Sequence, residues 1–203
     1  MYLQVCNEVP PEEASPEEVL PKEVLPEEVK KIKGGKELFL PFLLTGFVVI
    51  LDQLTKTFIV ANWPREGTLI KDIFNNEFLL IYHVRNKAIA FSLGEDVPEQ
   101  FRFALFVVVP ILVLGFLVWY YFNTAEFSRL QRWVIAGIIG GGMGNIIDRI
   151  FREDGVVDFV SVKLYGLLGM ERWPTFNVAD SSVVICCSIL LISMIIPHKA
   201  VPA

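Results

Sequence analysis

Two carboxylates carry the chemistry this sequence is best equipped to perform. Asp158 lies in the run Val156-Val157-Asp158-Phe159 and Asp180 in Phe176-Asn177-Val178-Ala179-Asp180-Ser181, and neither has a Lys or Arg at helical spacing. One follows an apolar segment and the other opens the next, so a folded bundle would bring them together near a lipid boundary. Like charges at close range cannot both ionise cheaply. One proton is then shared, leaving one carboxylate as base for a water and the other as acid for a carbonyl oxygen or leaving amine, the logic of an aspartic peptidase. Asp52, Lys56, Asn145, Asp148, Arg149 and Asn177 are the other polar groups set within apolar runs, where such residues are costly and usually functional. Asp52 and Lys56, spaced i, i+4 with the acid first, fit an intrahelical ion pair as well as a site role. Asn145, Asp148 and Arg149 fit a self-satisfied polar knot as well as a site. Other chemistries fare worse. His83 and His198 fall on opposite sides of the membrane without a nearby Cys or second His, which argues against zinc. No Ser-His-Asp set can be assembled, and Ser181 reads equally well as a helix-start residue.

The elements that must position these groups are membrane helices. The chain has 203 residues, 53% hydrophobic and 12% aromatic, and its mean hydropathy is +0.50, which excludes an ordinary soluble domain. Four apolar segments, at about 38–60, 101–122, 133–151 and 176–196, each approach the ~20 residues a spanning helix needs. The expected fold is therefore all-α, with four transmembrane helices. Strand-forming residues at 77–93 and 156–162 add a small extracytoplasmic β platform. Four spans put both termini on one side. Lys30, Lys31, Lys33 and Lys36 flank the entry to the first span, whereas Arg65 alone follows its exit, which favours a cytoplasmic N-terminus. Asp52 and Lys56 late in the first span, Asn145, Asp148 and Arg149 late in the third, and Asn177 and Asp180 early in the fourth then converge near the outer surface. Asp180, about five residues into its span, would lie ~7 Å deep at ~1.5 Å per residue.

Residues 1–36 read as a disordered acidic extension rich in Pro and Glu, 37–198 as the four-helix domain and 199–203 as a short cytoplasmic tail. Eight Glu precede residue 29, offset there only by Lys22, so the negative net charge comes from those first residues. The remainder is near neutral, and no nucleic-acid partner is expected. Cys6 lacks a preceding charged and apolar leader and reads as a spare thiol, while Cys186 and Cys187 sit side by side in an apolar run. Gly137, Gly140, Gly141 and Gly144 form small-xxx-small registers for close helix packing.

The segments Asp52-Gln53-Leu54-Thr55-Lys56, Asn86 through Phe91, Gly144-Asn145-Ile146-Ile147-Asp148-Arg149, Val156 through Phe159 and Phe176 through Ser181, in this order over residues 38–197, resemble the motifs of the lipoprotein signal peptidase (signal peptidase II) family. That resemblance implies an aspartyl endopeptidase of the bacterial inner (cytoplasmic) membrane, multi-pass and with its site near the extracytoplasmic face. It would cut diacylglyceryl-modified prolipoproteins before the lipidated cysteine. Carried over by position, Asp158 and Asp180 would be the catalytic pair. Asn86, Asn145, Arg149 and Asn177 would hold substrate or orient the pair, with Asp52, Lys56 and Asp148 supporting them. No cofactor or metal is implied, and the partners are the prolipoproteins and membrane lipid, with the enzyme expected to act as a monomer. The segment Asn86 through Phe91 departs from the family, which often has Gly after the variable position where this chain reads Ala88-Ile89-Ala90. The rival class is a small transporter or proton relay, but a relay needs polar groups through the whole membrane depth. Here Leu38–Phe47, Val134–Ile139 and Ile185–Ile196 are nearly all apolar.

Overall fold

The computed structural model describes residues 35–87, 97–124 and 126–195. The expectations for residues 1–34, for Ala88–Phe91 and for 196–203, including His198, lie outside the described residues.

Four long apolar helical segments, Gly35–Asn62, Glu99–Asn123, Arg129–Phe151 and Val178–Ile195, are long enough to cross a membrane. The first consists of α1 (Gly35–Phe39) and α2 (Phe42–Asn62), interrupted at Pro41. The second consists of α3 (Glu99–Phe103), a π-helical turn over Ala104–Val108, and α4 (Val109–Asn123). Pro110, which has no N–H to return to the preceding turn, lies just beyond that irregularity, a common place for a widened turn. The third is α5 (Arg129–Phe151) and the fourth α6 (Val178–Ile195).

Sequence pattern and burial run opposite to a water-soluble helix. In α2 the buried residues are Thr45, Val48, Asp52, Lys56 and Ile59, a stripe spaced three and four apart that includes two charges. Leu43, Phe47, Ile50, Leu54 and Phe58 face outward. Such inside-polar, outside-apolar helices require a lipid solvent, in which outward leucines cost nothing and polar groups must find partners within the protein. The chain is therefore a multi-pass membrane protein.

α5 is the central helix. A Ser128–Gln131 capping box starts it, with Ser128 Oγ accepting from Gln131 N at 3.2 Å and Gln131 Oε1 accepting from Ser128 N at 2.9 Å. Its glycines admit neighbours on two sides. A Cβ on Gly140 would press on Thr45 and Val48 of α2, and one on Gly141 would run into the Ala179 carbonyl of α6. At the end where α5 starts, Tyr121, Ile135 and Ile139 form a buried cluster, and Tyr121 Oη donates to the Leu38 carbonyl at 2.7 Å.

The opposite end carries an antiparallel sheet in the order β1 (Leu69–Asp72), β2 (Leu79–Asn86), β3 (Val156–Val162). The β2–β3 register pairs Val84 with Asp158 and Asn86 with Val156. Ile59, Val157 and Phe159 pack the sheet onto the end of α2, with Trp63 and Val178 against them. Gly155 makes the turn from α5 into β3 at φ +88°, and a side chain there would strike the Asn86 carbonyl, so glycine is needed both for the backbone and for the approach of the two strands.

Candidate active site

The two carboxylates singled out in the sequence meet at one cavity of about 1060 Å³ whose wall also includes Asn86, Asn145 and Arg149. They arrive from different elements. Asp158 sits on β3 and is 1% exposed, while Asp180 sits in the first turn of α6, which begins at Val178. The helix start lies two residues later than the sequence suggested, so Asp180 occupies the third helical position. The physical reason is Asn177. Its Oδ1 accepts from Asp180 N at 2.9 Å, and Asp180 Oδ2 accepts from Asn177 N at 3.1 Å. This reciprocal pair caps the helix, with Asp in the place usually taken by Glu or Gln, and it fixes the Asp180 carboxylate against the backbone.

Three asparagines hold the carboxylates in place. Asn177 Nδ2 donates to Asp158 Oδ1 at 2.7 Å, and Asn86 Nδ2 donates to Asp158 Oδ2 at 3.0 Å. Asn145 Nδ2 donates to Asp180 Oδ1 at 2.7 Å, while its Oδ1 accepts from Asn177 Nδ2 at 3.1 Å. Asn145 and Asn177 thus link the two carboxylates through neutral amides. No cation lies within ion-pair distance of either acid among the described residues. Burial, reinforced by the Asp180 charge, pushes the Asp158 carboxyl up from 3.8 to about 7, against the opposing effects of the Asn86 and Asn177 hydrogen bonds and the Lys56 charge. A carboxyl so raised retains a proton near neutral pH.

Beneath the carboxylates lies a second layer in which no side chain is exposed. Lys56 Nζ is 2.8 Å from Asp52 Oδ2 and 3.0 Å from Asp148 Oδ2, with all three side chains 0% exposed. It also donates to Asn145 Oδ1 at 3.0 Å, so its three protons are all used. The i, i+4 ion pair anticipated in α2 therefore exists, but Asp148 of α5 shares it. Both carboxylates also reach the backbone, Asp52 with its other oxygen and Asp148 with the same oxygen that meets Lys56. Asp52 Oδ1 accepts from Ala179 N at 3.0 Å and Asp148 Oδ2 from Val157 N at 3.2 Å. Each supporting acid grips the peptide N–H of the residue immediately before one of the two cavity carboxylates, and Lys56 ties the two grips together. A buried charge is tolerated only when paired and hydrogen-bonded in this way.

All nine residues named from the sequence are thus brought to one place, five on the cavity wall and Asp52, Lys56, Asp148 and Asn177 buried. Two partners were not anticipated. Gln53 Nε2 lies 3.2 Å from Asp52 Oδ2, 3.1 Å from the Gly144 carbonyl and 3.0 Å from Asp148 Oδ1. Arg152 Nε donates to Asp148 Oδ1 at 3.0 Å. The clue to Arg152 was its i, i+4 spacing from Asp148; Gln53 gave no signal beyond its place beside Asp52. His83 is buried elsewhere, with Nδ1 2.6 Å from the Trp63 carbonyl, and does not line the cavity.

The fold has solved counterparts. Two bacterial membrane enzymes determined by the in meso method superpose with TM-scores of 0.65 and 0.64. They are 28% and 29% identical, covering 80% and 77% of this chain and 94% and 92% of theirs. A lipoprotein signal peptidase of Treponema denticola is 49% identical over 156 residues, 76% of this chain and 87% of that protein. One of Treponema pallidum is 40% identical over 166 residues, 82% of this chain and 88% of that protein. The signal peptidase (SPase) II family profile matches residues 44–196. The chain belongs to the signal peptidase II family, a family of peptidases, and the transporter alternative is not favoured.

Proposed function

We propose that the protein is an aspartyl endopeptidase of the bacterial inner membrane that removes the signal peptide from diacylglyceryl-modified prolipoproteins, cutting before the lipidated cysteine. The observation that carries this reading is the meeting of Asp158 and Asp180 at a cavity whose wall also contains Val183, Val184 and Ile185 of α6. Val184 and Ile185 are exposed on the outer surface of the bundle, so the cavity borders lipid on one side and the platform on the other. A lipid-anchored peptide has that same division. Its acyl chains and signal segment stay in the bilayer while its mature chain reaches water, and the scissile bond lies between.

In this reading Asp158, whose carboxyl is raised to about 7, holds the dyad's proton and Asp180 is the base. Water attacks the carbonyl carbon of the scissile peptide as Asp180 takes a water proton and Asp158 gives its proton to the carbonyl oxygen. Collapse of the tetrahedral gem-diol breaks the C–N bond as Asp180 gives its proton to the departing cysteine amine and Asp158 takes back a proton from one hydroxyl, which restores the dyad. The signal peptide leaves with a new carboxyl group and the lipoprotein with a new amino terminus. Asn145 and Asn177 keep the carboxylates aligned through both steps. Arg149 has no hydrogen-bond or ion-pair partner among the described residues and is assigned to the substrate backbone. Asp52, Lys56 and Asp148 act as positioning residues through the Ala179 and Val157 amides. Both termini are placed in the cytoplasm and the sheet on the far side.

The test is cleavage in micelles of a diacylglyceryl-modified peptide and of the same peptide without lipid. The lipidated peptide alone should be cut, and Asp158→Asn and Asp180→Asn should each lose ~10²–10⁴ in rate, with the double variant scarcely worse than either. Wild-type cleavage by either well-folded variant would remove that residue from the dyad.

A further inference from the structure

The cavity carries more positive charge than its carboxylates account for. Arg172 is committed, with Nε and Nη2 donating to the Ser161 hydroxyl and carbonyl and Nη1 to the Glu77 carbonyl. Arg102 Nε donates to the Val97 carbonyl at 3.0 Å. Lys56, below, is neutralised by Asp52 and Asp148. Arg85 and Lys87 differ from all of these. Both line the cavity, yet neither side chain has a hydrogen-bond or ion-pair partner among the described residues. Glu66, the acid on the same wall, is turned instead to the Arg85 backbone N at 3.2 Å. The two cations flank Asn86, the residue that donates to Asp158.

Their position relative to the reaction is defined. Val184 and Ile185 form the lipid-bordering part of the wall, Asp158 and Asp180 the middle, and the end of β2 the platform part. A substrate whose signal segment lies along the apolar part and whose scissile bond lies at the dyad must lead its mature chain out past Asn86. We propose that Arg85 and Lys87 form a subsite for acidic side chains in the first few residues after the lipidated cysteine, so that the enzyme favours prolipoproteins whose mature segment begins with acidic residues. The inference rests on the peptidase reading above and adds a specificity determinant to it. Anionic lipid headgroups share the charge, but a pair one residue either side of a group bonded to the dyad lies where the cleaved chain itself passes.

The test uses the full-length protein in nonionic micelles at low salt and three diacylglyceryl-modified peptides identical through the cysteine. They differ only in carrying Asp, Asn or Lys at the two positions after it. Two solvent-accessible charge contacts should give an order Asp, Asn, Lys in kcat/KM with steps of about 3–10-fold, appearing in KM and shrinking at high salt. In the Arg85→Gln/Lys87→Gln double variant the Asp-to-Asn ratio should fall to about one, and Lys87→Glu should reduce or invert the Asp-to-Lys preference. Equal kcat/KM for the three peptides with wild-type enzyme, or a ratio that survives in the double variant, would overturn the proposal. So would a charge effect that follows the anionic phospholipid content of nanodiscs equally for all three peptides, which would assign the pair to headgroups. Failure of the wild-type protein to cut any lipidated peptide would instead overturn the peptidase reading, and the subsite with it.

Discussion

Replacing Asp158 with asparagine should cost ~10²–10⁴ in cleavage rate and, above neutral pH, stabilise the protein. The side chain is 1% exposed, and burial followed by the Asp180 charge raises its carboxyl from 3.8 to about 7. The direction of that change fixes the sign. An acid that holds its proton more tightly folded than unfolded contributes stability that is fully present below pH 3.8 and is lost as the pH rises through about 7. At ~1.4 kcal/mol per pH unit, the interval is worth at most ~4 kcal/mol. Asparagine is neutral at every pH and escapes the loss, but it cannot accept hydrogen bonds on both branches. Its oxygen can face Asn177, whose amide is fixed by Asp180 N and Asn145. Its NH2 then faces Asn86, whose amide must turn over, at a cost of ~1 kcal/mol. The net gain above pH 8 should be ~1–3 kcal/mol, or about 2–10 °C in unfolding midpoint for a chain of this size. Thermal unfolding of both proteins in one detergent from pH 5 to 9 measures it. The variant should lie at or slightly below wild type at pH 5 and above it at pH 8. A variant less stable at pH 8, or a gap independent of pH, would refute the reasoning.

Four further outcomes are expected. The rate should fall above about pH 7 as Asp158 loses its proton; a rate that climbs steadily to pH 9 would contradict a shared proton. Asp52→Asn removes one counter-charge from Lys56 and should cost ~3–5 kcal/mol, read as loss of monodisperse protein, whereas normal yield with lost cleavage would move Asp52 into the chemistry. Gly141→Ala drives a methyl group into the Ala179 carbonyl beside Asp180 and should lower kcat sharply, while Gly142→Ala meets only the Leu114 side chain and should be tolerated; equal effects would argue against close packing of α5 and α6 as the means of placing Asp180. Cysteines at Asn76 and Glu171 should react in intact cells with a membrane-impermeant thiol reagent, and labelling only after lysis would reverse the orientation.

The four helices were legible because lipid imposes a simple rule. A span must satisfy its backbone internally and be apolar over about 20 residues, and that property can be read along the chain. The site residues were legible for the complementary reason, since Asp52, Lys56, Asp148 and Asp180 in or beside apolar segments would be too costly without a partner or a task. The platform was visible only as strand-forming composition. Which residues pair across it, Val84 with Asp158 and Asn86 with Val156, depends on where α5 releases the chain at Gly155.

The partner that holds each polar residue was decided by tertiary structure alone. In sequence, Asp158 and Asp180 stand apart from Asp52 and Asp148 only in having no cation at helical spacing. Asp52 and Asp148 are drawn to Lys56 because α2 and α5 pack closely at glycines, and a buried ammonium demands both. Both also accept from the backbone, Asp52 from the Ala179 amide and Asp148 from the Val157 amide. Asp158 and Asp180, one residue further along in each case, receive neutral asparagine donors and remain open to the cavity. The exact helix start at Val178, which places Asp180, likewise follows from the Asn177 side chain and not from hydropathy. Composition can require that buried charges be paired, but only packing determines which charges are satisfied by one another and which are left for a substrate.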